Sequence, residues 1–149
     1  MPRKLEAVIF DMDGLMVDSE QAHSRSFEIV LNRHGVKPKI DEVIQTLGIG
    51  TPNNWKKLKK QYSLKASVDE LSDQKHEVYD DLIPEIELMP GAKALFDDLQ
   101  NSGIAVAVAS GSSKHNIEKI LNQLEISSYF SVIISGDELE NANQHLIYF

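Results

Sequence analysis

An α/β fold with a parallel sheet, interrupted by an inserted helical domain, is what the sequence predicts. Three observations carry that expectation. Short unbroken apolar runs recur, Ala7-Val8-Ile9-Phe10, Ile104-Ala105-Val106-Ala107-Val108-Ala109 and Val132-Ile133-Ile134, each closing on polar residues. Runs without alternation read as parallel strands covered on both faces. Stretches of helical spacing precede and follow the second run, giving strand-helix-strand order. Finally, the gap between the first two runs is far longer than one crossover needs.

The first run ends at Asp11-Met12-Asp13-Gly14, where glycine lets the chain turn sharply. Residues 20–87 then form the insertion. Phe27, Val30 and Leu31 mark one amphipathic helix, Val43 and Leu47 a second, Trp55, Leu58 and Tyr62 a third, and Val78, Leu82 and Ile83 a fourth. Gly35, Gly48, Gly50, Pro52 and Pro84 punctuate them. Met89-Pro90-Gly91 marks the return, followed by a helix over 91–99, the second strand, and a helix over 116–124 spaced by Ile117, Ile120, Leu121 and Leu124. The expected domains are therefore an α/β core, 1–19 with 88–149, and an inserted helical domain, 20–87.

Composition narrows the function. A formal charge of −8, from 23 acidic and 15 basic residues, argues against nucleic acid as the ligand. It leaves room for a small phosphate ester, because local donors and a metal override the global sign. The chain has no cysteine, which removes disulfides, thiolate zinc sites and cysteine nucleophiles and fits a reducing compartment. The apolar run after Met1-Pro2-Arg3-Lys4 is too short for a signal sequence, and nothing elsewhere approaches a membrane span. A cytoplasmic protein without a membrane partner is expected.

All three strands deliver polar residues at their carboxyl ends, where open α/β sheets place ligands. Asp11 and Asp13 are spaced to face one pocket, and like charges that close call for a hard cation such as Mg²⁺. One carboxylate can then attack phosphorus while the other trades a proton with the leaving oxygen. The same four residues also make an ordinary polar turn. They do not make a calcium loop, whose further ligands are misplaced. Position favours the site: the second strand ends at Ser110, whose hydroxyl and following N–H groups can cradle a phosphate at a helix start. Ser112 or Ser113 can cap that helix.

Phe10-Asp11-Met12-Asp13-Gly14-Leu15-Met16-Val17-Asp18-Ser19-Glu20 resembles the first motif of haloacid-dehalogenase-type hydrolases, specifically the beta-phosphoglucomutase-like phosphatase group. Leu88-Met89-Pro90-Gly91 resembles the junction from cap to core, and Val108-Ala109-Ser110-Gly111-Ser112 the second motif. The resemblance implies a phosphoaspartyl intermediate on Asp11, acid–base action by Asp13, Mg²⁺ on Asp11 and the Asp13 carbonyl, and phosphate on Ser110 and Gly111. It also implies a helical cap closing over a small phosphorylated metabolite. Thr46-Leu47-Gly48-Ile49-Gly50-Thr51 resembles the specificity loop of such caps, making Gly48 and Thr51 substrate candidates. Thr51 stands where the mutases carry a phosphate-binding arginine, which favours a phosphatase over a mutase. His23 occupies the position of a histidine near the proton-transfer residue, a position also used for packing. His34, His76, His115 and His145 lack metal-ligand spacing and read as surface residues, and Lys56, Lys57, Lys59 and Lys60 as a solvated helix face.

The resemblance runs to about Asn141. The lysine-proline-x-proline-aspartate segment and the later acidic pair that the family carries are missing, so Mg²⁺ affinity and hydrolysis are expected to suffer. A non-catalytic phosphate-binding remnant is thus the alternative. One deleted base reproduces the ending. GCA-AAA-CCA-GCA-CCT-GAT-ATA-TTT encodes Ala-Lys-Pro-Ala-Pro-Asp-Ile-Phe, and without one adenine it encodes the run from Ala142 to Tyr148 and begins a phenylalanine codon. A restored frame downstream in the gene that lacked the acidic pair would defeat this reading. The family also implies that the first strand lies inside the sheet, so a missing neighbour leaves a bare edge inviting self-association.

Overall fold

The computed structural model describes residues 5–141, with side chains as far as Glu138, and the chain divides into two compact units. One comprises the chain up to Asp18 and from Ile86 onward; the other is Ser19–Glu85. Residues 142–149, which include His145 and the run read above as frame-shifted, lie outside the described residues.

The first unit contains strands β1 (Ala7–Phe10), β2 (Val17–Asp18), β3 (Glu87–Leu88), β4 (Ala105–Ala109) and β5 (Val132–Ile134). The three apolar runs form one parallel sheet in the order β1-β4-β5, with Ile9 beside Ala107 and Ala107 beside Val132. The two-residue strands β2 and β3 pair antiparallel, Val17 with Leu88 and Asp18 with Glu87, and Met89 donates its N–H to the Met16 carbonyl at 2.8 Å. That small ribbon was not anticipated: two residues are too few to show a period.

The helical unit holds α1 (Glu20–Arg33), α2 (Ile40–Ile44), α3 (Thr51–Tyr62) and α4 (Val68–Leu82). Their apolar stripes bury Phe27, Val30, Leu31, Val43, Trp55, Leu58, Leu71, Val78 and Leu82, and the Phe27 and Trp55 rings meet at 4.8 Å. Ser67 caps α4 by accepting the Glu70 N–H at 3.1 Å. Leu47 falls outside α2, in the loop where Gly48 and Gly50 take φ of 90° and 84°, a region that favours glycine. Two surface assignments change. Lys59 is half-buried and donates to the carbonyls of Lys65 and Ala66, closing the turn after α3. His34 is half-buried, its Nε2 3.0 Å from Gln74 Oε1.

Helices α5 (Ala92–Asn101), α6 (Lys114–Gln123) and α7 (Gly136–Asn141) complete the first unit. Phe96 of α5 is fully buried against the rings of Phe10, Tyr129 and Phe130 at 5.4, 5.7 and 5.4 Å. Parallel crossovers are right-handed, and both connections step in the same direction along the sheet, so α5 and α6 are laid on one face. Burial follows that rule. Val106 and Val108 are buried, whereas Ile9, in the alternate row, is 65% exposed and Val132 is 50% exposed. The expectation of strands covered on both faces is corrected here: among the described residues one face of the sheet is covered. The β1 edge also lacks a strand partner among them.

Candidate active site

Neighbouring parallel strands set the site, because β1 and β4 end side by side with Phe10 in register with Val108. Asp11 follows β1 directly and is exposed, its Oδ1 accepting the adjacent Met12 N–H at 2.8 Å. The chain then turns back tightly. Gly14 takes φ of 75°, its N–H donates to the Val17 carbonyl at 3.0 Å, and Met12 and Met16 are driven into the core. Alternation about buried Met12 places Asp11 and Asp13 on the outer side of this turn.

The loop after β4 meets Asp13. Ser110 Oγ donates to Asp13 Oδ2 at 3.1 Å and Ser112 Oγ donates to the same oxygen at 2.9 Å. Ser112 N–H donates in turn to Ser110 Oγ at 3.1 Å. Ser113 is the helix cap, accepting the Asn116 N–H at 3.3 Å. Of the two serines left open as caps, therefore, Ser113 caps and Ser112 joins the aspartate. Sequence reasoning missed Ser112 because adjacent serines are equivalent until the turn decides which one points at the neighbouring strand. Gly111, between Ser110 and Ser112, is exposed.

The donor set suits Mg²⁺ in kind. Asp11 offers a carboxylate and Asp13 a main-chain carbonyl, hard oxygens of the sort this ion takes together with waters and phosphate oxygens. It is short in number: among the described residues no group of three His, Cys, Asp or Glu side chains forms a metal cage.

The cap candidates belong to the helical unit. His23, on α1, stacks on the Tyr79 ring at 4.2 Å, and its Nδ1 lies 3.1 Å from Lys75 Nζ. Lys75 is only 2% exposed and sits 4.3 Å from the centre of the Tyr79 ring, a cation–π arrangement in a desolvated setting. Gly48 lies in the loop beyond α2, and Thr51 is the first residue of α3.

An α/β unit with aspartates at one strand end and a serine-glycine-serine turn at the next defines a class, and comparison with known proteins gives the family. The haloacid dehalogenase-like hydrolase model matches residues 8–148, and the chain belongs to that family. It is 27% identical over 142 residues to a phosphorylated carbohydrates phosphatase of Thermotoga maritima, covering 92% of this chain and 64% of the relative. A phosphoglycolate phosphatase of Yersinia pestis is 27% identical over 151 residues, covering 96% and 64%. Among solved structures, CbbY from Rhodobacter sphaeroides in complex with phosphate aligns with a TM-score of 0.77 at 26% identity, over 90% of this chain and 64% of that one. The chain thus spans just under two thirds of the length of these relatives. No helix among the described residues is long and apolar enough to cross a membrane.

Proposed function

We propose that this chain is the nucleophile-bearing part of a phosphatase acting on a small phosphomonoester, a sugar phosphate or a similar metabolite. Asp11 attacks phosphorus through a carboxylate oxygen, the P–O bond to the leaving alcohol breaks, and an aspartyl phosphate is left for water to hydrolyse. Asp13 protonates the leaving oxygen and later takes a proton from the attacking water. The observation that carries this reading is the convergence of two serine hydroxyls on Oδ2 of Asp13, two residues beyond Asp11. When phosphate enters, Ser110 turns its hydroxyl from Asp13 to a phosphate oxygen, joined by the Gly111 N–H in the loop that leads into α6.

Asp11 and the Asp13 carbonyl would hold Mg²⁺, which when bound neutralises phosphate charge. With two protein donors, affinity is expected to be weak. Names borne by the relatives, phosphatases for phosphorylated carbohydrates and phosphoglycolate, support a small anionic ester. His23, Gly48 and Thr51 are proposed to shape its recognition within a helical cap, and the open β1 edge is proposed as a self-association surface.

Phosphate release from small phosphomonoesters with Mg²⁺, measured beside Asp11→Asn, tests the proposal. Release above that control is expected. Equal release from both proteins would reject turnover by this chain and favour a phosphate-binding remnant. Isomerised product formed with a bisphosphate activator would move the assignment to a mutase.

A further inference from the structure

We propose that Gly136, with Asp137 beside it, is a positioning residue for the phosphate loop at 110–114; the inference rests on the phosphate-binding reading of that loop. Three hydrogen bonds tie the loop to the segment that follows β5. Ser110 donates its N–H to the Ile134 carbonyl at 3.0 Å, and Gly136 donates its N–H to the Ser112 carbonyl at 3.0 Å. Asp137 Oδ2 accepts the Lys114 N–H at 2.8 Å. Every second residue of the loop is thus held by one short stretch of chain. Lys114 Nζ adds an ion pair to Glu138 at 3.5 Å.

Gly136 is required for space. The glycines at 14, 35, 48, 50, 91 and 103 have positive φ and open surroundings, whereas Gly136 has neither. A Cβ there would lie 2.3 Å from the Gly111 carbonyl oxygen and 2.9 Å from its carbon, so one backbone must move. The Gly111 carbonyl belongs to the same planar peptide as the Ser112 N–H, which donates to Ser110 Oγ. Any displacement is therefore carried to both serine hydroxyls on Asp13. Misplacement on the order of 1 Å in a site of this kind costs up to about a hundredfold.

The experiment uses the full chain, isotope-labelled, with inorganic phosphate and Mg²⁺ titrated while the amide resonances of 110–114 are followed. Gly136→Ala is expected to shift those resonances before ligand is added, leave the α5 amides in place, and weaken phosphate binding by about tenfold or more. Asp137→Ala is expected to speed hydrogen exchange of the Lys114 amide by about tenfold or more, and it carries the test if Gly136→Ala does not fold. Unchanged 110–114 resonances in Gly136→Ala, or unchanged Lys114 exchange in Asp137→Ala, overturns the proposal. Absence of any phosphate response in the parent chain rejects the phosphate-binding reading instead, and the ligand-free spectra still decide whether Gly136 positions the loop.

Discussion

Ile9→Lys is the substitution that most sharply separates a one-faced sheet from the fully covered strand that an unbroken apolar run implies. In a covered strand it would bury an unpaired charge and cost several kcal/mol. Ile9 is instead 65% exposed, so only about a third of its side chain leaves water. Complete burial of an isoleucine is worth about 1.5–3 kcal/mol, which leaves about 0.5–1 kcal/mol at stake. Urea denaturation followed by circular dichroism measures the loss. Phe96→Ala is the internal control, because Phe96 is fully buried among three rings and should cost about 3–5 kcal/mol. Sedimentation of the same samples should show Ile9→Lys less associated than the parent, since a lysine on an exposed strand opposes pairing. A loss above about 2 kcal/mol for Ile9→Lys would refute the reasoning, because only a covered Ile9 has that much to lose.

Three further outcomes follow from particular contacts. Ser112→Ala removes a hydroxyl donated to the Asp13 carboxylate and so loosens the group proposed to transfer the proton, and phosphate release should fall about tenfold or more. Ser113→Ala should do the reverse, lowering stability by about 1 kcal/mol through the lost cap while activity holds; equal behaviour of the two variants would dissolve the distinction. Tyr62 donates to Glu42, and that hydrogen bond, with desolvation and the carboxylate charge, pushes its pKa up to about 12 from 10.0. A folded-state pKa raised above the unfolded one gives stability that is full below pH 10 and lost as pH rises through about 12. Ultraviolet titration should therefore show a phenol step near 12 that Tyr62→Phe deletes, and a parent chain without that step would contradict the contact.

Much of the site was legible because its signals are local. The strand runs ending at Asp11 and Ser110, the turn at Gly14 and the helices through Phe27, Trp55 and Val78 each depend on residues a few positions apart. Lys59 and His34 were misread as surface groups for the opposite reason. Their partners, the carbonyls of Lys65 and Ala66 and the side chain of Gln74, are supplied by the way the chain folds back, which composition does not record. Gly136 was likewise silent, since a glycine needed for close approach looks the same in sequence as one needed for a turn.

What the sequence determined by itself was the period of each segment, hence an α/β chain with a helical insertion, and the acidic and serine-bearing strand ends from which a phosphate site is proposed. Only the tertiary structure decided that Ser112 rather than Ser113 reaches Asp13, that β2 and β3 pair, and that Ile9 faces outward. The physical reason is range. Periodicity and capping are settled within a turn or two of chain, whereas strand order, crossover hand and the meeting of residues nearly a hundred positions apart are settled by which faces can be buried together.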